Sequence, residues 1–227
     1  GEMRKMIVQV SRNGHVYALD RMNGDFLYAG EYTRVNWAER DERGKPVLKE
    51  SLYEPADTMV FPGLYGGKNW PPASYSPDTH MLYIPTTEWG TRFIRREGDA
   101  RAGTMDLGGI PQFDTTGTGW VVAFDMLSGE IAWQKEMPGN FNWAGTLSTG
   151  GGLVFSGAPD GHVYAMNDET GEVLWKFQTG SGIYAPPTSF TIDGKQYIGV
   201  ASGTRNPVTR AGVATGISTG NYILFSL

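Results

Sequence analysis

The sequence lacks several features that would point to particular functions. None of its 227 residues is cysteine, and only 19 % are charged. This stretch of chain therefore has no disulfide scaffold, thiolate metal site, CxxCH haem attachment or cysteine nucleophile. It has no run of 18 apolar residues, so no membrane-spanning helix is predicted. The net charge is −5 and the basic residues cluster only at Arg95 and Arg96, so we do not expect nucleic acid as a partner.

Glycine, in contrast, is abundant. It accounts for 32 residues, about one in seven and roughly double ordinary usage, and aromatic residues make up 12 %. This combination is typical of an all-β protein with many tight turns and stacked aromatic rings. It argues against a helical bundle, a coiled coil or a disordered chain. The length fits one large domain or two small ones.

The chain opens without a signal peptide and without methionine at position 1, and an apolar strand is predicted at residues 6–10. We therefore expect it to start inside a fold. A processed chain, a subunit and a portion of a longer protein all fit this start.

Three segments share the pattern Gly-x-Val-x-Ala-x-Asp/Asn-x-x-x-Gly-Asp/Glu-x-x-Trp. They are residues 13–25, 119–133 and 160–175. In the first segment, Tyr28 or a neighbour stands in the place of the tryptophan. The alternation predicts a strand, a tight turn and a second strand, in which Asp or Asn caps the turn and Gly supplies a positive φ. We expect Trp133 and Trp175 to pack between neighbouring sheets.

The spacing of the repeats predicts the architecture. Gly129 and Gly171 are 42 residues apart, and a repeat of about 40–45 residues with four strands is typical of a propeller blade. Gly24 and Gly129 are 105 residues apart, which exceeds two repeats. The excess falls in a poorly patterned stretch, which we interpret as an insertion at 92–117.

The predicted fold class is therefore all-β, a β-propeller of four-stranded blades with tryptophan-docking motifs. We expect the whole chain, 1–227, to be one partial propeller domain. Its predicted parts are a partial blade at 1–35, a blade at 69–137 that holds the insertion, a blade at 143–178 and a last blade at 184–227. The first strands of the second and last of these are predicted at 70–75 and 184–191. Three to four blades cannot close a ring well, because the flanking blades would expose sheet faces and edges. We expect a missing half, either before Gly1 or on a partner chain.

Several motifs, in order along the chain, resemble those of the quinoprotein alcohol dehydrogenases of the methanol/ethanol type. The most specific are Gly-Gly-Lys-Asn-Trp-Pro at 66–71 and Trp-Lys-Phe-Gln-Thr-Gly-Ser-Gly at 175–182, and Ser-Arg-Asn-Gly at 11–14 precedes both. Those enzymes are eight-bladed propellers that bind pyrroloquinoline quinone (PQQ) and a metal ion. The resemblance covers nearly the whole chain and implies the C-terminal half, about half of the eight-bladed ring.

Four residues are predicted to bind the cofactor: Arg12, Asn69, Trp70 and Trp143. In a four-stranded meander, the loop after the second strand and the link into the first strand share one face, so these four should converge on one mouth. Arg21, after a third strand, should face away. The family pattern implies PQQ contacts at the same four positions. PQQ carries carboxylates and an ortho-quinone. A guanidinium can polarise the quinone oxygen, and an amide can donate a hydrogen bond. Indole rings can form an apolar wall beside the planar cofactor.

Other polar residues have simpler structural interpretations. His15 and His162 occupy the same slot of one repeat, which indicates a structural role. Asp20, Asp125 and Asn167 are predicted to cap turns rather than bind metal. Two further questions stay open in the sequence: whether Glu88 and Trp89 line a substrate pocket, and whether the insertion is a lid or a subunit contact.

The resemblance implies PQQ-dependent oxidation of an alcohol to an aldehyde or ketone, with electrons passing to a cytochrome c in the periplasm. The family's catalytic Asp and the ligands of its metal ion, calcium or a lanthanide, would lie before Gly1. No catalytic residue or metal ligand is therefore assigned here, and an N-terminal half is the expected partner. The alternative is a non-catalytic propeller with PQQ-like repeats that acts as an assembly scaffold.

Overall fold

The computed structural model describes residues 4–50, 58–95, 102–103, 109–114, 116–203 and 220–226. Nineteen β-strands and no α-helix occur in these residues. In chain order the strands are β1 (Met6–Val10), β2 (His15–Asp20), β3 (Phe26–Glu31), β4 (Ala38–Arg40), β5 (Pro46–Leu48), β6 (Met59–Val60), β7 (Ser74–Ser76), β8 (Met81–Glu88), β9 (Thr91–Arg95), β10 (Gly109–Phe113), β11 (Thr118–Asp125), β12 (Glu130–Met137), β13 (Thr146–Thr149), β14 (Leu153–Gly157), β15 (His162–Asn167), β16 (Val173–Gln178), β17 (Thr188–Ile192), β18 (Lys195–Ser202) and β19 (Asn221–Ser226). A helix able to cross a membrane is absent from the described part of the chain.

The chain divides into two compact units. The first comprises Gly1–Gly67 and Glu88–Gly117, and the second comprises Lys68–Thr87 and Thr118–Leu227. The blade boundaries given above stay a prediction.

The first unit contains three small sheets, with strand orders β1-β2-β3, β10-β9-β6 and β4-β5. In the first of them, Val16 and Ala18 of β2 are fully buried and pair with Val10 and Val8 of β1. Their alternate neighbours on β2, Tyr17 and Leu19, are only partly buried, as a period-two pattern predicts, whereas His15 at the start of the strand is fully buried.

The second unit contains two four-stranded antiparallel sheets and one three-stranded sheet. Their strand orders are β7-β8-β11-β12, β13-β14-β15-β16 and β17-β18-β19. Two apolar layers hold them together. The first layer joins Tyr83, Val121, Ala123 and Met137 to Val154, Ala158, Tyr164 and Met166, and the second joins Ala144, Phe155, Val163 and Ala165 to Ile183, Ile198 and Val200. Burial of each large side chain in these layers contributes about 1.5–3 kcal/mol.

The predicted turn caps are confirmed in all three repeats. Asp20, Asp125 and Asn167 each accept, through the side-chain oxygen Oδ1, a hydrogen bond from the backbone N–H two residues later, at 2.7, 2.8 and 3.0 Å. The glycine that follows each cap has a φ between +71° and +80°. These residues are therefore local backbone caps.

The predicted packing of Trp133 between sheets is also confirmed. Its Nε1–H donates to the carbonyl oxygen of Asp168 at 2.9 Å, and its ring centroid lies 5.8 Å from that of Tyr83. A Cβ on Gly171 would lie 2.5 Å from the Trp133 ring. The turn after β15 can therefore receive the indole only because glycine occupies position 171.

Two predicted strands begin later than expected. Strands predicted at 70–75 and 184–191 are observed as Ser74–Ser76 and Thr188–Ile192. Pro71 and Pro72 precede the first, and Pro186 and Pro187 precede the second. Proline has no N–H for the ladder, so pairing starts only after these residues.

The insertion also contains more regular structure than its composition suggests. β9 and β10 pair as an antiparallel hairpin, and β9 also pairs with β6. The main sheet continues from β8 to β11, so the hairpin is added after the second strand of that sheet. Each strand has only five residues, and Pro111 interrupts the pattern, which explains why the sequence indicated no strand here.

Candidate functional site

Arg12 lies on the tight turn between β1 and β2 in the first unit. Gly14 closes this turn with a φ of +96°, and its N–H donates to Ser11 O at 3.3 Å. The Arg12 side chain is exposed, and its Nη2 donates to the carbonyl oxygen of Leu64 at 2.5 Å. The guanidinium is thus held in place by a loop 52 residues further along the chain.

Gly66 and Gly67 hold the backbone of the same turn. The N–H of Gly67 donates to Arg12 O at 2.9 Å. A Cβ on Gly66, which has a φ of +77°, would lie 2.8 Å from both Cβ and O of Arg12. A Cβ on Gly67 would lie 2.6 Å from Thr33 Cγ2. The Gly-Gly pair of the 66–71 motif therefore lets the backbone of its own loop lie close against the Arg12 turn. The sequence did not reveal this role.

The other three predicted residues lie in the second unit. The Trp70 and Trp143 rings meet edge to face, with centroids 6.4 Å apart and an interplanar angle of 75°. Trp70 is 57 % exposed and Trp143 only 8 % exposed. Asn69 Oδ1 accepts the Trp70 N–H at 2.9 Å, which orients the amide. Lys68 Nζ donates to Asn69 O at 3.2 Å, and burial lowers the pKa of Lys68.

Asn142 fixes the segment that carries Trp143. Its Nδ2 donates to Trp120 O at 3.0 Å, and its backbone N–H donates to Thr87 Oγ1 at 3.2 Å. Its Oδ1 accepts the Ala144 N–H at 3.2 Å. Asn142 is 1 % exposed, so these bonds are shielded from water and set the direction in which the Trp143 backbone runs.

Two aromatic neighbours of this pair were not predicted. Phe141 meets the Trp143 ring at 5.8 Å and 75°, and Tyr184 stacks on Phe141 at 5.7 Å and 15°. Burial raises the pKa of Tyr184. Trp70, Trp143 and Tyr184 each precede the first strand of a sheet and are followed by Pro or Ala. That shared position is the signal that would have found Tyr184.

The structure thus places Trp70 and Trp143 together, next to Asn69, while Arg12 belongs to the first unit. Convergence of all four side chains on one cofactor stays a prediction. The loop at 204–210 follows a predicted second strand and is therefore expected to face the same mouth, but it lies outside the described residues.

The histidines take structural positions. His15 is fully buried beside the Tyr17 and Trp37 rings, at centroid distances of 5.8 and 5.6 Å. Burial, with the positive charge of Arg40, lowers its pKa to about 4, so it is neutral at pH 7. His162 Nδ1 lies 2.8 Å from Asp160 Oδ2 at the start of β15. Within the described residues, no three His, Cys, Asp or Glu side chains form a group that could hold a metal ion.

Trp89 packs in the core of the first unit. It is 4 % exposed and meets the Tyr65 ring at 5.6 Å and 77°, while Tyr65 in turn lies 4.9 Å from Phe113 of the insertion hairpin. This packing explains Trp89 without a ligand.

A groove of about 480 Å³ lies between the outer strands β12 and β16 of the two four-stranded sheets. None of the four predicted cofactor residues lines it. Its lining residues are Lys135, Glu136, Met137, Pro138, Tyr164, Val173, Leu174, Trp175 and Lys176.

Four-stranded antiparallel meanders, linked through docked tryptophans, are the mark of a β-propeller. A family model described as "Glucose/ethanol/alcohol dehydrogenase, beta-propeller domain" and named PQQ matches residues 119–198. The quinoprotein ethanol dehydrogenase of Pseudomonas aeruginosa is 36 % identical over 220 residues, which cover 89 % of this chain and 35 % of that protein. The quinohemoprotein alcohol dehydrogenase ADH IIB of Pseudomonas putida is 34 % identical over 93 % of this chain and 32 % of its own length.

Solved structures agree with the sequence comparisons. The quinohemoprotein alcohol dehydrogenase ADHIIG of Pseudomonas putida HK5 superposes with a TM-score of 0.78 at 31 % identity, covering 88 % of this chain and 32 % of that one. A europium-containing methanol dehydrogenase gives 0.78 at 32 % identity, covering 89 % and 37 %. The predicted resemblance and the all-β propeller fold are confirmed. The chain spans about a third of the length of these relatives.

Proposed function

We propose that this chain forms one side of the cofactor site of a PQQ-dependent alcohol dehydrogenase, which oxidises an alcohol to an aldehyde or ketone. An N-terminal half of the propeller would supply the catalytic base and the ligands of a calcium or lanthanide ion. The proposal is supported by similarity to quinoprotein alcohol dehydrogenases over 89 % of the chain. The observation that carries it is the exposed, anchored guanidinium of Arg12 on a turn held by two glycines.

The residues present fit the chemistry of PQQ, a flat molecule with carboxylates and an ortho-quinone. Arginine has five N–H donors, and Leu64 O engages one nitrogen of Arg12, so the exposed guanidinium has further donors for an anionic oxygen. Trp70 and Trp143 offer indole surfaces at 75° to each other, and Asn69 is an amide held in one orientation beside them. A planar anionic ligand matches this set of donors and apolar surfaces.

Each residue would have a distinct task. Arg12 would donate to a cofactor oxygen and stabilise the negative charge that develops there. Asn69 would donate a hydrogen bond that fixes the register of the ligand. Trp70 and Trp143 would exclude water from one side, with Phe141 and Tyr184 supporting the Trp143 ring. Bound PQQ would supply the two-electron acceptor for alcohol oxidation.

The electron acceptor is proposed to be a cytochrome c, and the location to be the periplasm. Relatives from Pseudomonas putida and Comamonas testosteroni are named quinohemoprotein alcohol dehydrogenases, which pairs a haem with the quinone in those proteins. This chain contains no cysteine for a CxxCH attachment. We therefore expect its haem partner outside the 227 residues.

The first experiment is mass spectrometry of material purified from cells that make the protein naturally, under native and then denaturing conditions. We expect the 24.8 kDa chain to be held with an N-terminal half and to release PQQ. A lone chain without quinone would overturn the proposal and favour the scaffold alternative.

A pair of arginine variants tests the site within that assembly. We expect Arg12→Gln to lower PQQ retention and alcohol-dependent reduction of an artificial acceptor. Arg21→Gln is the matched control, because Arg21 is an exposed arginine on the turn at the other end of β2. Equal loss in both variants would contradict the assignment of Arg12.

A further inference from the structure

The groove between β12 and β16 is a cavity that the proposed function leaves unused. Its volume is about 480 Å³, and none of the four predicted cofactor residues lines it. Small-molecule sites in proteins usually have volumes of about 300–1,000 Å³ and combine apolar walls with a few polar groups. The groove has the size of such a site, and the side chains on its two walls indicate which ligand it would hold.

The β12 wall of the groove carries a lysine above a buried methionine. Lys135 and Met137 lie two and four residues after Trp133, so all three share one face of the strand. This face packs against the next sheet, because Met137 joins Tyr164 in the first apolar layer. Glu136 also borders the groove, but by the same alternation its side chain belongs to the opposite face of β12.

The β16 wall carries a second lysine. Trp175 and Phe177 face the last sheet, where their rings meet the Phe225 ring at centroid distances of 5.0 and 5.2 Å. The predicted packing of Trp175 between sheets is thereby confirmed. Lys176 lies between these two aromatic residues and therefore takes the opposite face, towards β12. It pairs with Tyr164 in the strand register, so both lysine side chains flank the same part of the groove.

Neither lysine is neutralised by a neighbour. Within the part of the chain that the structure describes, the side chains of Lys135 and Lys176 form no ion pair or hydrogen bond. The Tyr164 hydroxyl already donates to Asp160 Oδ2 at 3.2 Å. The two ammonium groups are therefore the donors that the groove offers. Two lysines and one glutamate, Glu136, give the lining a net charge of +1 in a chain whose net charge is −5.

The remaining lining is apolar. Met137 is buried below the lysines, and Val173 and Pro138 also line the groove. Leu174 is 54 % exposed and Trp175 is 39 % exposed. Apolar surface beside unpaired positive charges is complementary to a molecule that has an apolar body and an anionic head.

We propose that this groove binds a small amphipathic monocarboxylate. The carboxylate would accept a charge-assisted hydrogen bond from each ammonium group of Lys135 and Lys176, and the apolar body would cover Leu174 and Trp175. A single carboxylate neutralises the net charge of the lining. A phosphate group carries about −1.5 to −2 at pH 7 and would exceed it.

The test titrates the full chain with 4-phenylbutyrate, which joins an aromatic ring to a carboxylate through a flexible apolar chain. We expect saturable shifts in the NMR signals of the Leu174 methyl groups and the Trp175 indole. A dissociation constant on the order of 1 mM suits a ligand of about twelve non-hydrogen atoms. The neutral amide, 4-phenylbutyramide, should bind at least about threefold more weakly. Added salt should weaken binding of the acid and leave that of the amide unchanged.

Charge-removing variants locate the head group. We expect Lys135→Gln and Lys176→Gln each to lower the affinity for the acid by about two- to fivefold and to leave the affinity for the amide unchanged. Lys195→Gln is the matched control, because Lys195 is an exposed lysine of the same unit at the start of β18 and does not line the groove. Unchanged backbone amide shifts in β13–β15 would show that each variant is folded.

Four results would overturn the inference. Equal affinity for the acid and the amide would show that the charge is not recognised. Equal losses in Lys195→Gln and the groove variants would show a general charge effect. Shifts confined to residues outside the groove would place the ligand elsewhere, and inorganic phosphate that binds as tightly as 4-phenylbutyrate would remove the role of the apolar body. The titration contains no quinone, so the outcome is independent of the proposed function.

Discussion

Replacing Gly171 with alanine tests how the two four-stranded sheets are joined. Gly171 has a φ of +71°, which costs a residue with a Cβ about 1 kcal/mol. The new Cβ would also lie 2.5 Å from the Trp133 ring, so the indole must move from the Asp168 carbonyl. Displacing a packed side chain costs about 1–3 kcal/mol more. We expect a total destabilisation of about 2–4 kcal/mol in urea unfolding of the chain, followed by two spectroscopic probes.

Gly194→Ala is the matched control. Gly194 has a φ of +77° in the same unit, and a Cβ there would meet nothing within 4 Å. It should therefore cost only the backbone contribution of about 1 kcal/mol. A double-mutant cycle completes the test. In a Trp133→Leu background, the destabilisation caused by Gly171→Ala should fall to that caused by Gly194→Ala, because the new Cβ no longer meets an indole ring. Equal costs for both glycines in the wild-type background, or an unchanged cost of Gly171→Ala without the indole, would refute the reasoning.

Three further predictions follow from other contacts. Tyr83→Phe removes hydroxyl bonds to Thr79 and to the Asp168 carbonyl and should lower the unfolding free energy by about 1 kcal/mol in urea titrations. His15, whose pKa falls to about 4 on folding, binds its proton more weakly in the folded state than in the unfolded state. Stability should therefore be full above about pH 6.5 and decline by up to about 3 kcal/mol towards pH 4, and His15→Gln should flatten that urea–pH profile. Gly66→Ala should displace the Arg12 turn and lower PQQ retention by the assembled protein as Arg12→Gln does, and normal retention would contradict the role given to Gly66.

The regular elements were predictable because their signals are local. The short apolar strands β15 and β18, and the capped turns at Asp20, Asp125 and Asn167, depend on residues within a few positions of each other. The boundaries of β7 and β17 were wrong where the prolines before these strands delay pairing.

The contacts that hold the candidate site together were harder to predict from the sequence. The sequence identified Trp70 and Trp143, which the structure brings into contact. It could not show that Gly67 binds the Arg12 carbonyl, because 55 residues separate the two partners and no periodic pattern links them. Tyr184 shares with Trp70 and Trp143 a position before the first strand of a sheet, but its stacking on Phe141 joins two links that are distant in sequence and appears only in the folded chain.

The two-point attachment of Arg12 has a consequence for any anion that meets it. Its backbone oxygen is bound by Gly67 and its guanidinium by the Leu64 carbonyl, so both ends of the residue are immobilised when the first unit folds. An unrestrained arginine loses about 2 kcal/mol of rotamer entropy on being fixed by a ligand. Here that loss accompanies folding, so an incoming carboxylate or quinone oxygen would meet a rigid donor. Lysine at position 12 would keep the charge but not this rigidity, since its single ammonium cannot hold the loop and present a planar fork at once.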